Sequence, residues 1–174
     1  RQLNVMVVPE GGMLFQHNLT MIVDGHTGIE HNIPLAKVYS DVKQLWRQSQ
    51  TYITPSFNAA YGGIMGEHYW YDKYDVWKNK RLANFVPKEV LWPRSMRRSK
   101  APDHHYNHIL EAAAMKSLWD VGVKVNMGSH GQREGLGAHW EIWTIVLGGF
   151  TPIEALKSST IISAKYIGLD QDLG

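Results

Sequence analysis

The chain has 174 residues, 44% of them hydrophobic and 20% charged, which excludes a disordered or collagen-like chain and leaves room for one sizeable core. With 18 basic and 16 acidic residues the net charge is +2, a near-balance that gives no case for nucleic acid or an anionic membrane as partner. No window approaches the roughly 20 apolar residues of a membrane span, and the lack of cysteine excludes disulfides, thiolate zinc sites and a cysteine nucleophile.

The first predicted element is a strand over Leu3–Val8, a near-continuous apolar run that reads as buried on both faces and ends at Pro9-Glu10-Gly11-Gly12. A helix over Leu14–Val23 follows, then a short strand over Thr27–His31 and a helix from Pro34 to about Ser49. Thr51–Thr54 reads as a third strand. Residues 57–103 break this rhythm: they carry Tyr61, Tyr69, Trp70, Tyr71, Tyr74, Trp77 and Trp92 together with a cationic run, Arg94–Lys100. Aromatic density of this kind argues against disorder, so the stretch is expected to be an insertion with short helices of its own. Asp103–Asp120 is an amphipathic helix and Val121–Met127 a fourth strand, followed by the glycine-rich loop 128–137. Helices are then expected from about Ala138 to Leu147, over Pro152–Lys157 behind the capping box Thr151-Pro152-Ile153-Glu154, and over Ser159–Tyr166. The chain opens at Arg1 without Met and stops in a turn-like stretch, which reads as a piece of a longer protein.

Strand followed by helix, four times over, implies a parallel sheet with helices outside. In such folds the site lies at the carboxyl ends of the strands. Those ends carry Glu10, His31, Thr54 and His130, and histidine and carboxylate are the groups that bind metal or move protons near neutral pH. Each also has a plainer reading: Glu10 as a solvated loop carboxylate, His31 as a structural histidine, His130 as a loop hydrogen-bonder. The 128–137 loop has neither the P-loop ending nor a helix-opening GxGxxG, so a phosphate cradle is a minor alternative. His104, His105 and His108 complete no HExxH pattern and read as surface polarity.

Three segments are more specific: TGIEH at 27–31, YITPSF at 52–57, and VNMGSHGQREGLGAHWEIWTIVLGGFTPIEALKSSTIISAKYIGLD at 125–170. Together they resemble the second half of the metal-dependent amidohydrolase superfamily, in the version that follows a TolB-like β-propeller. The resemblance implies an α/β fold, the C-terminal half (strands 5–8) of a (β/α)8 TIM-like barrel. Residues 1–174 would form a partial barrel domain with an insertion at about 57–103, lacking the N-terminal half.

By the same resemblance His31 falls on the family's strand-six histidine, Glu10 where many members carry the strand-five histidine, and His130 where most carry the strand-eight aspartate. The resemblance thus implies Glu10, His31 and His130 as metal ligands, His130 also as the catalytic base, and a divalent metal, zinc by preference, as cofactor. Glu141 and His139 are expected to brace the loop or hold a supporting hydrogen bond. Tyr69, Trp70 and Tyr71 are expected at the substrate, on the wall or lid of the pocket. The implied activity is hydrolysis of C–N bonds in a small amide or peptide-like substrate. The substitutions at positions 10 and 130 keep open an inactive scaffold or binding module. Either way a half barrel needs its other half, or another copy of the chain, to cover its edges. The compartment is left open, a periplasmic or secreted one included.

Overall fold

The structure, a computed structural model, describes residue 3 and residues 5–59, 63–96, 100–130 and 133–174. Tyr61, Arg97, Arg98 and Gly131, all within segments singled out above, lie outside the described residues.

Two strands, β1 (Gly28–Glu30) and β2 (Tyr52–Thr54), pair in parallel, with Ile29 opposite Ile53 and Glu30 opposite Thr54. Parallel bridges extend the pair on both sides, Glu10 to Glu30 and Val125 to Ile53. Four parallel segments, 5–10, 28–30, 52–54 and 123–126, therefore lie side by side in chain order. The ladder is carried across by Glu30 N donating to Pro9 O (3.0 Å) and Asn126 N donating to Ile53 O (2.8 Å).

Side chains alternate across the sheet. Ile29, Ile53 and Val125 are fully buried on one face. They pack into a core with helices α1 (Phe15–Val23), α2 (Ser40–Ser49), α6 (His108–Trp119) and α7 (Leu136–Leu147) through Ile22, Trp46, Leu118 and Ile145. The other face is polar. Thr54 Oγ1 and Tyr166 Oη both donate to Glu30 Oε1, at 3.1 and 3.0 Å, and Asn126 Nδ2 donates to Thr54 Oγ1 at 3.2 Å.

The insertion folds as α3 (Gly66–Lys73), α4 (Lys80–Phe85) and α5 (Lys88–Met96), with one 3-10 turn, Val76–Lys78, between α3 and α4. It has its own core, Trp70, Tyr71, Val76 and Leu91, to which α7 contributes Trp140. The chain ends in α8 (Pro152–Lys157), which has the capping box of Thr151 and Glu154, and in a π-turn running into α9 (Ser163–Tyr166). No helix among the described residues is long and apolar enough to cross a membrane.

Several expectations are corrected. The first segment is not buried on both faces: Val5, Met6 and Val7 are exposed, and among the described residues the segment stands at the edge of the sheet with β1 as its neighbour. The second helix begins at Ser40, not at Pro34. His108 is not surface polarity; it opens α6 fully buried, while His104 and His105 are exposed. Of the aromatic run, Trp70 and Tyr71 are buried in the insertion core.

Candidate functional site

Each strand-end residue is placed by a local device. β1 closes with His31 N donating to Thr54 O (2.9 Å), and His31 then turns the chain with a φ of 71°. Glu10 is followed by a turn held by Asn18, which accepts from Gly12 N and donates to Gly12 O, both at 2.9 Å. The fourth segment leaves the sheet past Gly128, where a Cβ would lie 2.6 Å from the Pro55 carbonyl oxygen, so only glycine fits that approach. His130 follows with a φ of 55°. Among described residues other than glycine, positive φ occurs at His31, His130 and Gln50, the last ending α2. Such backbone costs of the order of 1 kcal/mol or more and clusters at functional sites.

These devices bring three side chains together. Glu10 Oε1 lies 3.5 Å from His31 Nε2, and the His31 and His130 rings have centroids 5.0 Å apart, tilted at 53°. His31 is nearly buried, whereas the Glu10 carboxylate is 79% exposed and so open to solvent or to a partner surface. The Glu10–His31 distance is that of an ion-pair contact, and it also matches the roughly 3.4 Å between two donors bonded at about 2.0–2.2 Å to one tetrahedral ion. His130 stands beside this pair, ring against ring. Among the described residues no group of three or more His, Asp or Glu side chains is arranged to hold a metal ion. The three residues expected as a donor set thus stand as a carboxylate–imidazole contact with a second imidazole beside it.

Glu141 of α7 is fully buried. Its carboxylate accepts from the backbone N–H groups of Phe57 (3.0 Å) and Asn58 (2.9 Å), and Asn58 Nδ2 donates to Gly137 O at 2.9 Å. Burial pushes the Glu141 carboxyl well above the usual carboxylate range; the two N–H donors oppose this and the charge of Glu111 adds to it. Glu141 therefore ties the turn after β2 to the start of α7. His139 does not share this position. It is exposed, with its ring 6.3 Å from Trp143.

Tyr69 and Trp70 share one environment, with ring centroids 5.3 Å apart, and Tyr71 another. Tyr69 and Trp70 border an open apolar cavity of about 530 Å³ with Tyr74, Trp143 and Leu156. Tyr71 turns its hydroxyl inward, donating to Glu67 Oε1 at 2.7 Å and accepting from Arg133 Nε at 3.0 Å. Sequence reasoning missed Arg133 and Glu67: Glu67 and Tyr71 stand one helical turn apart, but Arg133 meets them from 62 residues away in sequence, which follows no spacing rule.

No protein-family model matches the chain, and no curated protein matches it in sequence. Solved structures do share its fold. A Xaa-Pro dipeptidase crystallised with methionine in its active site superposes with a TM-score of 0.62 at 20% identity, over 99% of this chain and 36% of the dipeptidase. An amidohydrolase gives 0.60 at 19% identity, over 99% of this chain and 35% of that one. An uncharacterized protein gives 0.57 at 16%, with 99% and 36% covered. The chain thus has the α/β fold of part of these proteins and spans about a third of their length.

Proposed function

We propose that this chain is part of a (β/α)8 barrel of the amidohydrolase superfamily, its C-terminal half, and contributes one side of the active site of a metal-dependent hydrolase. The observation that carries the reading is the meeting of Glu10, His31 and His130 at the carboxyl ends of adjacent parallel segments. The substrate class is a small amide or peptide-like molecule with a scissile C–N bond, which the shared fold with a dipeptidase and an amidohydrolase supports.

Glu10 and His31 would hold a divalent ion, zinc by the chemistry of a nitrogen–oxygen donor pair, with the remaining ligands coming from outside this chain. When bound, such an ion polarises the carbonyl and lowers the pKa of water to about 7. In this reading His130 would accept the proton from the attacking water and return it to the leaving nitrogen, the acid–base role that an imidazole beside the pair can fill. Glu141 keeps the turn after β2 and the start of α7 in place, so the loop carrying His130 starts and ends on fixed points.

The test is elemental analysis after loading with zinc, combined with hydrolysis of a panel of dipeptides and small amides. His31→Ala is expected to lose the ion. His130→Asn should keep the ion and lose kcat by about 10²–10⁴-fold, the usual cost of a missing acid–base group. Unchanged metal and rate in both variants would overturn the reading. A wild-type chain, supplied with the rest of its barrel, that binds no metal and hydrolyses nothing would point to a scaffold instead.

A further inference from the structure

His130 sits on a loop, and a loop places a side chain well only if both its ends are held. One end is the sheet. The other is Arg133, whose backbone oxygen accepts from Gly137 N at 2.6 Å and so starts the turn into α7. The Arg133 side chain does not reach solvent; the residue is 4% exposed. Its guanidinium runs into the insertion instead, where Nε donates to Tyr71 Oη (3.0 Å) and Nη2 approaches Ser95 Oγ at 3.5 Å. Tyr71 Oη donates in turn to Glu67 Oε1 (2.7 Å), and Arg94 Nε completes the chain at 3.1 Å from the same oxygen. Glu67 is itself buried.

A buried guanidinium is costly unless its donors are met. Here Nε and Nη2 face neutral oxygens of α3 and α5, and the carboxylate of the network lies one residue further on. Such a fixed fork sets direction more than it adds stability. Tyr71 is held rigidly as acceptor, because its ring packs edge-on against Trp140, with centroids 5.2 Å apart.

We propose that Arg133 is a positioning residue: through Tyr71 and Glu67 the aromatic insertion fixes the chain at Arg133, where it turns into α7, and thereby sets where the His130 ring stands against His31. The structural part stands on these contacts alone; its consequence for catalysis rests on the hydrolase reading above. The insertion then acts on the reaction from behind the loop, through one guanidinium.

The test compares Tyr71→Phe and Arg133→Lys with wild type in the full chain. Tyr71→Phe keeps the ring and removes the acceptor; Arg133→Lys keeps the charge and removes the fork. Amide hydrogen exchange in residues 128–137 is expected to rise at least tenfold in both, while exchange in β1 and β2 changes less than twofold. The His130 ring proton resonances should shift and their contacts to the His31 ring weaken. Where hydrolysis is measurable, kcat should fall at least tenfold with KM within twofold. Loop exchange that stays at the wild-type rate, or that rises equally throughout the chain, overturns the proposal. If Tyr71→Phe fails to fold, Arg133→Lys decides by the same readout. A wild type without hydrolase activity would count against the function proposed above, and loop exchange would still decide this one.

Discussion

The molecule holds two cores of opposite character. The core behind the sheet is mostly aliphatic and makes few polar demands: Ile29, Ile53, Val125, Leu118 and Ile145 meet there at strand and helix spacings, with Trp46 and Phe57 as its large members. The insertion core is built of rings, Trp70 stacked on Trp140 at 6.1 Å and Tyr71 edge-on to it, and it closes around a buried network of Glu67, Arg133 and the Tyr71 hydroxyl. The two do different work for one site. The first sets the sheet register, which brings Glu10 to His31. The second holds the loop that brings His130 to the same place. A site assembled by two cores can be damaged from either side, and the damage should look different.

The largest effect is expected at Trp46. Its side chain is fully buried in the aliphatic core, and its Nε1 donates to Thr51 O (2.9 Å) at the entry to β2. Trp46→Ala leaves a large cavity and an orphaned carbonyl, and the cost is expected at about 3–5 kcal/mol. Denaturant unfolding measures it, and ladder amides at Ile53 and Asn126 should lose protection along with global stability. A loss below about 1 kcal/mol would mean that the sheet does not depend on this core.

The next effect concerns the border between the cores. His108 opens α6 under the rings of Tyr69 (4.7 Å) and Tyr106 (6.2 Å); it is fully buried, and neither ring nitrogen has a hydrogen-bond partner among the described residues. Burial lowers its pKa from 6.5 to about 4. Between those values the unfolded state binds the proton and the folded state does not. Stability must then fall as the pH drops from 6.5 towards 4 and level off below, by about 3 kcal/mol in all. Carboxylates titrate in part of this window too, so the readout is the difference between wild type and His108→Leu in denaturant midpoints at pH 7 and pH 4.5. The variant should lose less stability on acidification. Parallel losses would show that burial does not keep this histidine neutral.

How far the sequence announced this arrangement depends on the core in question. The arc was legible: apolar strands alternating with amphipathic helices give parallel neighbours, and Glu10, His31 and His130 follow as residues at strand ends. The Thr151–Glu154 capping box was equally legible, because both partners lie within one turn. The polar face of the sheet was not, since three-residue strands are too short for alternation to show against Gly28, Glu30, Tyr52 and Thr54. The insertion core was not legible, because aromatic residues with polar tips suit a lid and an interior alike, and what builds this core is contact between α3 and a helix far along the chain. Arg133 meeting Tyr71, and His108 being buried while His104 and His105 are not, are tertiary facts without a local signature.

The smallest effect expected separates the two cores directly. Gly66 begins α3, and a Cβ added there would lie 2.1 Å from the Phe57 carbonyl oxygen and 2.9 Å from His108 Cβ. Neither can swing away. The Phe57 backbone is pinned by Glu141, which accepts from its N–H, and the His108 stem belongs to α6. Gly66→Ala must therefore push α3 off its seat, carrying Trp70 and Tyr71 with it, while the sheet face is untouched. Overpacking of this kind costs about 1–3 kcal/mol, or a melting temperature lower by about 2–4 °C for each kcal/mol in a chain of this size. Tryptophan fluorescence should shift as Trp70 separates from Trp140, and amides of 128–137 should exchange faster because Tyr71 no longer meets Arg133 squarely. Protection at Ile53 and Asn126 should hold. Were those ladder amides to loosen as much as the loop, the two cores would be one cooperative unit, and His31 and His130 would be placed together rather than by separate means.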